Sequence, residues 1–182
     1  MRIETRVSLP ADVAEDFLKL YRKAFEPLEV LAAARQSLTD EEFLEEMQHP
    51  GVRKWIVWDS FDNPCAMAFM TTDLSLVPWV SLPYYQAKFP EHYERGAIWY
   101  FGSILVHPDH QGSSVAVDLM HHLIREVVEA DAIPMFDCCG FNVDVKKLPQ
   151  MIEGLARQIC VEVDAQEIDV QRYYAYTFRG LK

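Results

Sequence analysis

Residues 104–120 read ILVHPDHQGSSVAVDLM, and this stretch decides the fold. Its first three residues are apolar and end a predicted strand, a short turn follows, and an amphipathic helix begins just after Gly112. A strand that runs into a glycine-containing helix start leaves several backbone N–H groups unpaired. The positive end of the helix dipole lies at the same place. The stretch therefore predicts a site for a phosphate or pyrophosphate.

The chain length and composition predict a single domain over residues 1–182. Half of the 182 residues are hydrophobic and a quarter are charged, which is typical of a soluble globular protein. No apolar run approaches the roughly 18 to 20 residues that cross a bilayer, so no membrane association is expected. The first seven residues alternate polar and apolar and lack a secretory apolar region. A cytoplasmic protein is expected.

The charge balance narrows the choice of partners. The formal net charge is −11, and such a surface repels the phosphate backbone of a nucleic acid. It suits a cationic acceptor, such as a protonated amine. The six histidines do not stand with carboxylates or thiols in ligand spacing, so no metal site is expected. Free thiols are expected at the four cysteines, Cys65, Cys138, Cys139 and Cys160.

Hydrophobic periodicity gives the element order β-α-α-β-β-β-α-β-α-β-β. Thr39 and Glu42 form a capping box, which predicts that a helix begins directly after Thr39. Strands are predicted over residues 2–8, 54–58, 65–72, 97–106, 133–139, 159–163 and 171–178. The helices of this order are predicted over residues 10–27, 40–49, 112–130 and 143–158, the last with a late start or a kink at Pro149. A further short helix over residues 28–35 is an addition to this order.

Residues 73–96 form a long connection rich in proline and aromatic residues. Pro78, Pro83 and Pro90 rule out a long regular element. Two interpretations stay open. The segment is either a flap over a substrate cleft or a loop packed against the body of the domain.

The spacing in the opening stretch resembles the acyl-CoA pyrophosphate-binding motif of the GNAT superfamily of N-acyltransferases. That motif reads Val-x-Pro-x-x-(Gln/Arg)-x-x-Gly-x-(Gly/Ala), and the second residue after the Gln/Arg varies freely. Val106, Pro108, Gln111 and Ala116 fall in register, whereas Ser114 stands where the family usually has glycine. The element order also resembles that of the family. The resemblance implies an α/β (α+β) fold: a mixed, mostly antiparallel central sheet with helices on both faces and a splayed parallel strand pair.

The resemblance also implies a cosubstrate, acetyl-CoA or another acyl-CoA. Leu105 and Val106 would offer backbone groups to the pantetheine arm, and Asn142 resembles an asparagine that contacts this arm in the family. A serine at position 114 adds a Cβ close to the phosphate, but its hydroxyl is able to donate to a phosphate oxygen. The backbone N–H groups expected to cradle the pyrophosphate belong to Gln111, Gly112, Ser113, Ser114, Val115 and Ala116.

The catalytic residues are less clearly marked. Many family members place a carboxylate base where Tyr100 stands here, and a tyrosine acid seven residues beyond the asparagine, where Pro149 stands. No tyrosine occurs between Gly140 and Gly154. Tyr100, acting through water, and Asp137, on the strand facing the expected cleft, are the candidate catalytic residues. Cys138 and the flap tyrosines are further candidates, and each of these side chains is open to a packing or surface interpretation.

Two functions follow from these patterns. The first is transfer of an acetyl or other short acyl group from acyl-CoA to a small-molecule or peptide amine by direct attack. The second is a catalytically silent GNAT-like module that retains CoA affinity or a partner surface, which Ser114 and the missing tyrosine motivate. The acceptor, the acyl length and the assembly state, including a homodimer, are left open by the sequence.

Overall fold

A computed structural model describes residues 1–110 and 112–180 of the chain. Its centre is a mixed sheet with the strand order β1-β2-β3-β4-β5. The first three neighbouring pairs are antiparallel and the β4–β5 pair is parallel. The strands are β1 (Arg2–Arg6), β2 (Val52–Trp58), β3 (Pro64–Thr71), β4 (Ile98–Val106) and β5 (Ile133–Met135).

Helices cover both faces of this sheet. The helices are α1 (Ala11–Phe25), α2 (Asp40–Gln48), α3 (Leu82–Lys88), α4 (Pro90–Glu94), α5 (Val115–Glu129), α6 (Gly140–Asp144) and α7 (Leu148–Ala156). The buried faces of α1 and α2 pack on one side of the sheet around Phe17 and Phe43. The buried face of α5 packs on the other side, around Leu119. The predicted architecture, a mostly antiparallel sheet between helices, is confirmed.

Alternate side chains of β4 point to opposite faces of the sheet, and the alternation is offset by one residue at Gly102. Trp99 and Phe101 face α5 before the glycine, whereas Ile104 and Val106 face α5 after it. The register between β3 and β4 shifts at the same point, which is the signature of a β-bulge. A Cβ at Gly102 would overlap the ring of Phe69 on β3, so the absence of a side chain allows the ring to seat there.

One carboxylate fastens α5 to the sheet. Glu126, on the last turn of α5, accepts a hydrogen bond from Trp55 Nε1 at 2.8 Å, and His122 Nε2 lies 2.9 Å from the same carboxylate. Arg53 lies 3.5 Å from the same carboxylate and stacks over the rings of Trp55 and Trp99, at 5.4 and 5.2 Å. Because the Trp55 side chain is fully buried, its N–H would lose a hydrogen bond without this partner. The contact therefore fixes the position of α5 along the sheet.

Several local predictions are confirmed, and others are wrong in detail. The capping box at Thr39 is complete, with both reciprocal hydrogen bonds to Glu42 present. The helix predicted over 28–35 is instead a 3-10 turn, Glu26–Val30, with Pro27 in its first turn, where the fixed φ and the missing N–H of proline are tolerated. The helix predicted over 143–158 is divided into α6 and α7 at Lys147, where φ is +55°. Pro149 then occupies the first turn of α7, where its missing N–H costs nothing.

The predicted closing pair of strands is wrong. Neither 159–163 nor 171–178 forms a strand, and the strand predicted over 133–139 is only three residues long. A strand needs an edge to pair with, and β5 provides a short one. Ile133 donates its N–H to Ala97 next to β4, so by alternation the backbone of Pro134 faces the outer edge, where proline has no N–H. Among the described residues, the alternating sequence of 171–178 therefore has no strand with which to pair.

A lysine is fully buried between β2 and the elements that precede it. Lys54 donates from Nζ to the carbonyl oxygens of Val7 at 2.8 Å and His49 at 2.9 Å, and so joins the ends of β1 and α2. Burial lowers the pKa of Lys54 to about 8, against the opposing charge of Glu46. Burial raises the pKa of Glu46 to about 7, since desolvation outweighs the attraction of Lys54. The carboxylate form of Glu46 is therefore destabilised in the folded state.

We expect Glu46→Gln to stabilise the protein above neutral pH. An unfolded glutamate ionises near 4.5, whereas the folded one holds its proton to about 7. Between these values the folded state binds more protons, so the free energy of unfolding of the wild type falls as pH rises. Denaturant titrations between pH 4 and 8 should show this slope in the wild type and a flatter profile in Glu46→Gln. Glu45→Gln, at an exposed neighbour on α2, is the control that should retain the slope.

Candidate active site

The site begins where β4 and β5 separate. The two strands pair through three residues only, and the last pair is Tyr100 with Met135. Beyond it, β4 continues for six residues, to Val106, with β3 on one side and no described strand on the other. Main-chain groups on the open side have no ladder partner, so an amide-bearing ligand is able to satisfy them.

Alternation identifies which backbone groups line the open side. The N–H of His107 donates to Cys65 at the edge of β3, over 2.8 Å. Leu105 therefore also directs its backbone groups at β3, opposite Met67, whereas Ile104 and Val106 direct theirs to the open side. The sequence indicated Leu105 and Val106; of these two, Val106 faces the open side, whereas Leu105 is paired with β3. Ile104 was missed, because the alternation of this half of β4 depends on the bulge at Gly102.

The turn after β4 brings the start of α5 to the same opening. Gly112 has a φ of +80°, in the left-handed region, and nothing lies within 4 Å of where its Cβ would be. Among the described residues, the N–H groups of Ala116 and Val117 have no acceptor, and the first helical bond is from Asp118 to Ser114. These free donors stand at the positive end of a 15-residue helix.

The two serines of the turn differ in their hydrogen bonding. The hydroxyl of Ser113 donates to the carbonyl of His110 at 2.5 Å and accepts from the N–H of Val115 at 3.3 Å, so it stabilises the turn itself. Ser114 is exposed at the N-cap position and its side chain makes no cap hydrogen bond. Gln111 lies outside the described residues.

The two candidate catalytic residues are brought together at the point where the strands separate. The Tyr100 hydroxyl donates to Oδ1 of Asp137 across the gap between β4 and the end of β5. Trp79 Nε1 donates to the Tyr100 hydroxyl at 2.8 Å and lies 3.2 Å from the same Oδ1. Among the described residues both donors reach Oδ1 and none reaches Oδ2, so one oxygen of the exposed carboxylate remains available.

Burial determines the protonation of Tyr100. The side chain is almost fully buried, and burial followed by the hydrogen bond to Asp137 raises its pKa far above the usual range. The phenol thus stays protonated at physiological pH and acts as a hydrogen-bond donor rather than as a base. Asp137 is the group of this pair that is able to accept a proton.

The long connection between β3 and β4 both packs on the domain and covers this network. Its apolar side chains join a core cluster with Ile98, Tyr100 and Met135, and they include Val77, Leu82, Tyr85, Phe89 and Tyr93. Trp79 then reaches Tyr100 and Asp137 from the same connection. Packing against the body of the domain is therefore confirmed for this segment, and its role as a flap over a substrate cleft stays a prediction. A cavity of about 330 Å³ lies beside it, lined by Asp73, Tyr93 and Ile98.

The remaining site prediction concerns Asn142, which lies partly buried on α6, the helix that follows β5. The described residues hold no group of three or more His, Cys, Asp or Glu side chains able to bind a metal ion. In the same parts of the chain, no helix has the length and apolar character needed to cross a membrane.

Comparisons with known proteins identify the fold of the chain. No protein-family model matches the sequence, and no curated protein matches it. Solved structures do match. A ribosomal-protein-alanine N-acetyltransferase from Brucella melitensis superposes with a TM-score of 0.51 at 14% identity, over 94% of this chain and all of that one. The chain has the GNAT acetyltransferase fold.

Two further GNAT structures show how far this likeness extends. GCN5 from Tetrahymena matches with a TM-score of 0.51 at 8% identity, over 81% of this chain and 77% of its own. AAC(6')-Iy, in complex with the bisubstrate analogue CoA-S-monomethyl-acetylneamine, matches with a TM-score of 0.50 at 13% identity, over 96% of this chain and all of its own. At these identities the likeness establishes the fold of the chain.

We expect alanine to have opposite effects at two glycines. Gly112→Ala places a side chain at a φ of +80° and should destabilise the protein by about 1 kcal/mol. Gly154→Ala, inside the exposed face of α7 where a Cβ meets nothing, should stabilise it by about 0.5–1 kcal/mol. Urea denaturation measures both. Stabilisation by Gly112→Ala would show that the turn does not require the left-handed conformation.

Proposed function

We propose that this protein transfers an acetyl or other short acyl group from acyl-CoA to the amine of a small molecule or peptide, by direct attack of the amine on the thioester. The observation that supports the proposal is that three features of the structure lie next to one another. The unpaired N-terminus of α5 and the open edge of β4 adjoin one another, and the Tyr100–Asp137 pair lies where that edge begins.

The α5 terminus fits the pyrophosphate of CoA. Two free N–H groups, the helix dipole and the unobstructed Gly112 turn provide donors and space for an anion. No lysine or arginine stands within the turn, residues 107–117, so the binding relies on the backbone. The adjoining edge of β4, at Ile104 and Val106, fits the amide groups of the pantetheine arm as an added strand would.

Asp137 fits the acceptor amine. Its Oδ1 is held by Tyr100 and Trp79, and its Oδ2 remains available to an ammonium group or to an amine N–H. The net charge of −11 favours the approach of a cation. We infer that Asp137 is the general base, and that Tyr100 and Trp79 hold the carboxylate in position.

The reaction then follows from this arrangement. Acyl-CoA supplies the thioester carbonyl. Asp137 accepts a proton from the amine as its nitrogen bonds to the carbonyl carbon, the C–S bond breaks, and the thiolate takes up a proton from solvent. This assignment requires no tyrosine on α6 or α7, where the sequence has none. AAC(6')-Iy, whose bound ligand joins CoA to an acetylated amine, supports this pairing of ligands.

We expect Ser114→Glu to weaken CoA binding at least tenfold, while Ser114→Gln changes it by less than about threefold. Both variants add a side chain of the same size at an exposed N-cap, but only glutamate places a negative charge beside the pyrophosphate. A carboxylate near the start of a helix does not destabilise it, so both variants should fold. Calorimetric titration with CoA and acetyl-CoA gives the dissociation constants.

Binding of CoA and acetyl-CoA to the wild-type protein is measured first. Micromolar binding together with the difference between the two variants places CoA at the start of α5. A wild-type protein that binds neither CoA nor acetyl-CoA would overturn the proposed function.

We expect Asp137→Asn to lower kcat/KM for amine acylation by about 10²–10⁴, the range for loss of a general base. Tyr100→Phe retains the buried ring but loses the donor to Oδ1, and a smaller decrease of about tenfold is expected. Acylated amine should be followed by mass spectrometry across an amine panel, because the cysteines of the chain would react in a thiol assay.

Glu91→Gln is a suitable control, since Glu91 is an exposed carboxylate on α4 that contacts neither Tyr100 nor Asp137 in the described hydrogen bonds. It should leave kcat/KM unchanged. CoA binding without turnover of any amine would instead identify a binding module. Full activity in Asp137→Asn would remove Asp137 as the base while leaving the CoA site intact.

A further inference from the structure

The C-terminal segment is the most exposed part of the described chain. Every residue from 169 to 180 is exposed, and residues 170–180, called here the arm, form no helix or strand. Apart from the N–H of Val170, which donates to its neighbour Asp169, no hydrogen bond of a described residue involves the arm. Its main-chain donors and acceptors are therefore open to another partner.

The arm carries an aromatic stripe on one side. Tyr174, Tyr176 and Phe178 recur at a period of two, with 73, 76 and 87% of each residue's surface exposed. The rings of Tyr176 and Phe178 stack with centroids 6.3 Å apart, as residues two apart do on an extended backbone. Aromatic and alternating residues favour a strand, and an exposed stripe of this kind marks an interaction surface.

The start of the arm is fixed to the body of the protein. Tyr84, on α3, donates its hydroxyl hydrogen to the carbonyl of Ile168 at 2.7 Å, and Ile168 packs against the core cluster around Tyr100. Arg157 donates to the carbonyl of Val163 at 3.3 Å. The arm therefore leaves the surface at a defined place, which allows it to meet a partner in one geometry.

Neither edge of the sheet suits the arm. The outer edge of β5 is three residues long and presents Pro134, which lacks an N–H. The opposite edge, β1, carries the charged side chains Arg2, Glu4 and Arg6. Short and charged edges both discourage strand addition.

The charges of the arm favour a second copy of the chain. Arg172 and Arg179 are its only ionisable groups apart from tyrosines, so the arm is basic on a protein with a net charge of −11. The residues that precede it are acidic, with Glu162, Asp164, Glu167 and Asp169. A copy of the chain thus presents the charges that the arm of another copy complements.

We propose that the arm pairs with the arm of a second copy of this chain as an antiparallel two-stranded ribbon, with Tyr174 on the two-fold axis. In this register Arg179 stands opposite Asp169, Phe178 opposite Val170 and Tyr176 opposite Arg172. An ion pair, an apolar pair and a cation–aromatic pair are then each made twice by symmetry. The pairing is independent of the proposed acyl transfer, because it uses no residue of that site.

Cysteine cross-linking tests the register. In a full-length parent with Cys138, Cys139 and Cys160 replaced by alanine, cysteine is introduced singly at positions 173, 174, 175 and 176; Cys65 is buried and is retained. Directly opposed residues of antiparallel strands lie within disulfide reach, so mild oxidation should give a dimer of twice 21.1 kDa from Tyr174→Cys. Tyr173→Cys, Ala175→Cys and Tyr176→Cys should give at least tenfold less.

Charge reversal tests the pairing without changing the aromatic stripe. Arg179→Asp and Asp169→Arg should each weaken dimerisation about tenfold in sedimentation experiments, since two repulsive pairs replace two attractive ones. The double variant restores both pairs and should return to within about threefold of the wild type. Phe61→Glu, at an equally exposed aromatic residue in the β2–β3 turn, should have no effect.

Three results would overturn the proposal. A wild-type protein that sediments as a monomer at 100 µM or so would exclude a stable pairing of arms. Equal cross-linking at all four positions would exclude the register. A double variant as weak as the sum of its single variants would exclude the contact between Arg179 and Asp169.

Discussion

The brevity of the parallel pairing between β4 and β5 is the constraint on which the rest of the site depends. Three residues of ladder hold the two strands together, and their separation begins after Tyr100 and Met135. A longer β5 would pair with the backbone groups at the open edge of β4 and leave none for a ligand. A shorter one would release Asp137 from the neighbourhood of Tyr100. The opening and the contact between Tyr100 and Asp137 are thus two results of one strand length.

The position of α5 relative to this opening rests on a second contact, at the other end of the helix. Glu126 ties the last turns of α5 to Trp55 and Arg53 on β2, while Leu119 and Leu123 bury the middle of the helix. Because a helix is stiff, fixing its far end and its centre also fixes its start. Contacts in the middle and at the far end of α5 therefore fix the position of the N–H groups of Ala116 and Val117.

Much of the fold was predictable because its signals are local. The capping box at Thr39 specifies a helix start by itself, and the stretch from Ile104 to Ala116 specifies a strand, a turn and a helix. The absence of the closing strands was not predictable in this way. The alternation of residues 171–178 is a strand signal, but pairing depends on Pro134, some 40 residues earlier, and on how short β5 is.

In the site, too, some residues were predictable from the sequence and others were not. Tyr100 was selected because it stands where many GNAT members place a carboxylate base, and Asp137 because it lies on the predicted strand that faces the expected cleft. Trp79 was recognised only as one aromatic residue of a long connection. Its contact with both of them depends on how the two short helices α3 and α4 return the chain to β4. No pattern in the sequence of residues 73–96 encodes that path.

The bulge at Gly102 divides β4 into two halves, each with its own alternation of side chains. On its N-terminal side, the strand holds Tyr100 against Asp137, the residue that we propose as the base. On its C-terminal side, it directs the backbone groups of Ile104 and Val106 to the open edge that we propose for the cosubstrate. The extra residue offsets one half against the other, so each half keeps its own alternation. Under the proposed function, substitutions around Tyr100 should leave the cosubstrate edge at Ile104 and Val106 unchanged, whereas deletion of one residue at the bulge should alter both halves of the strand.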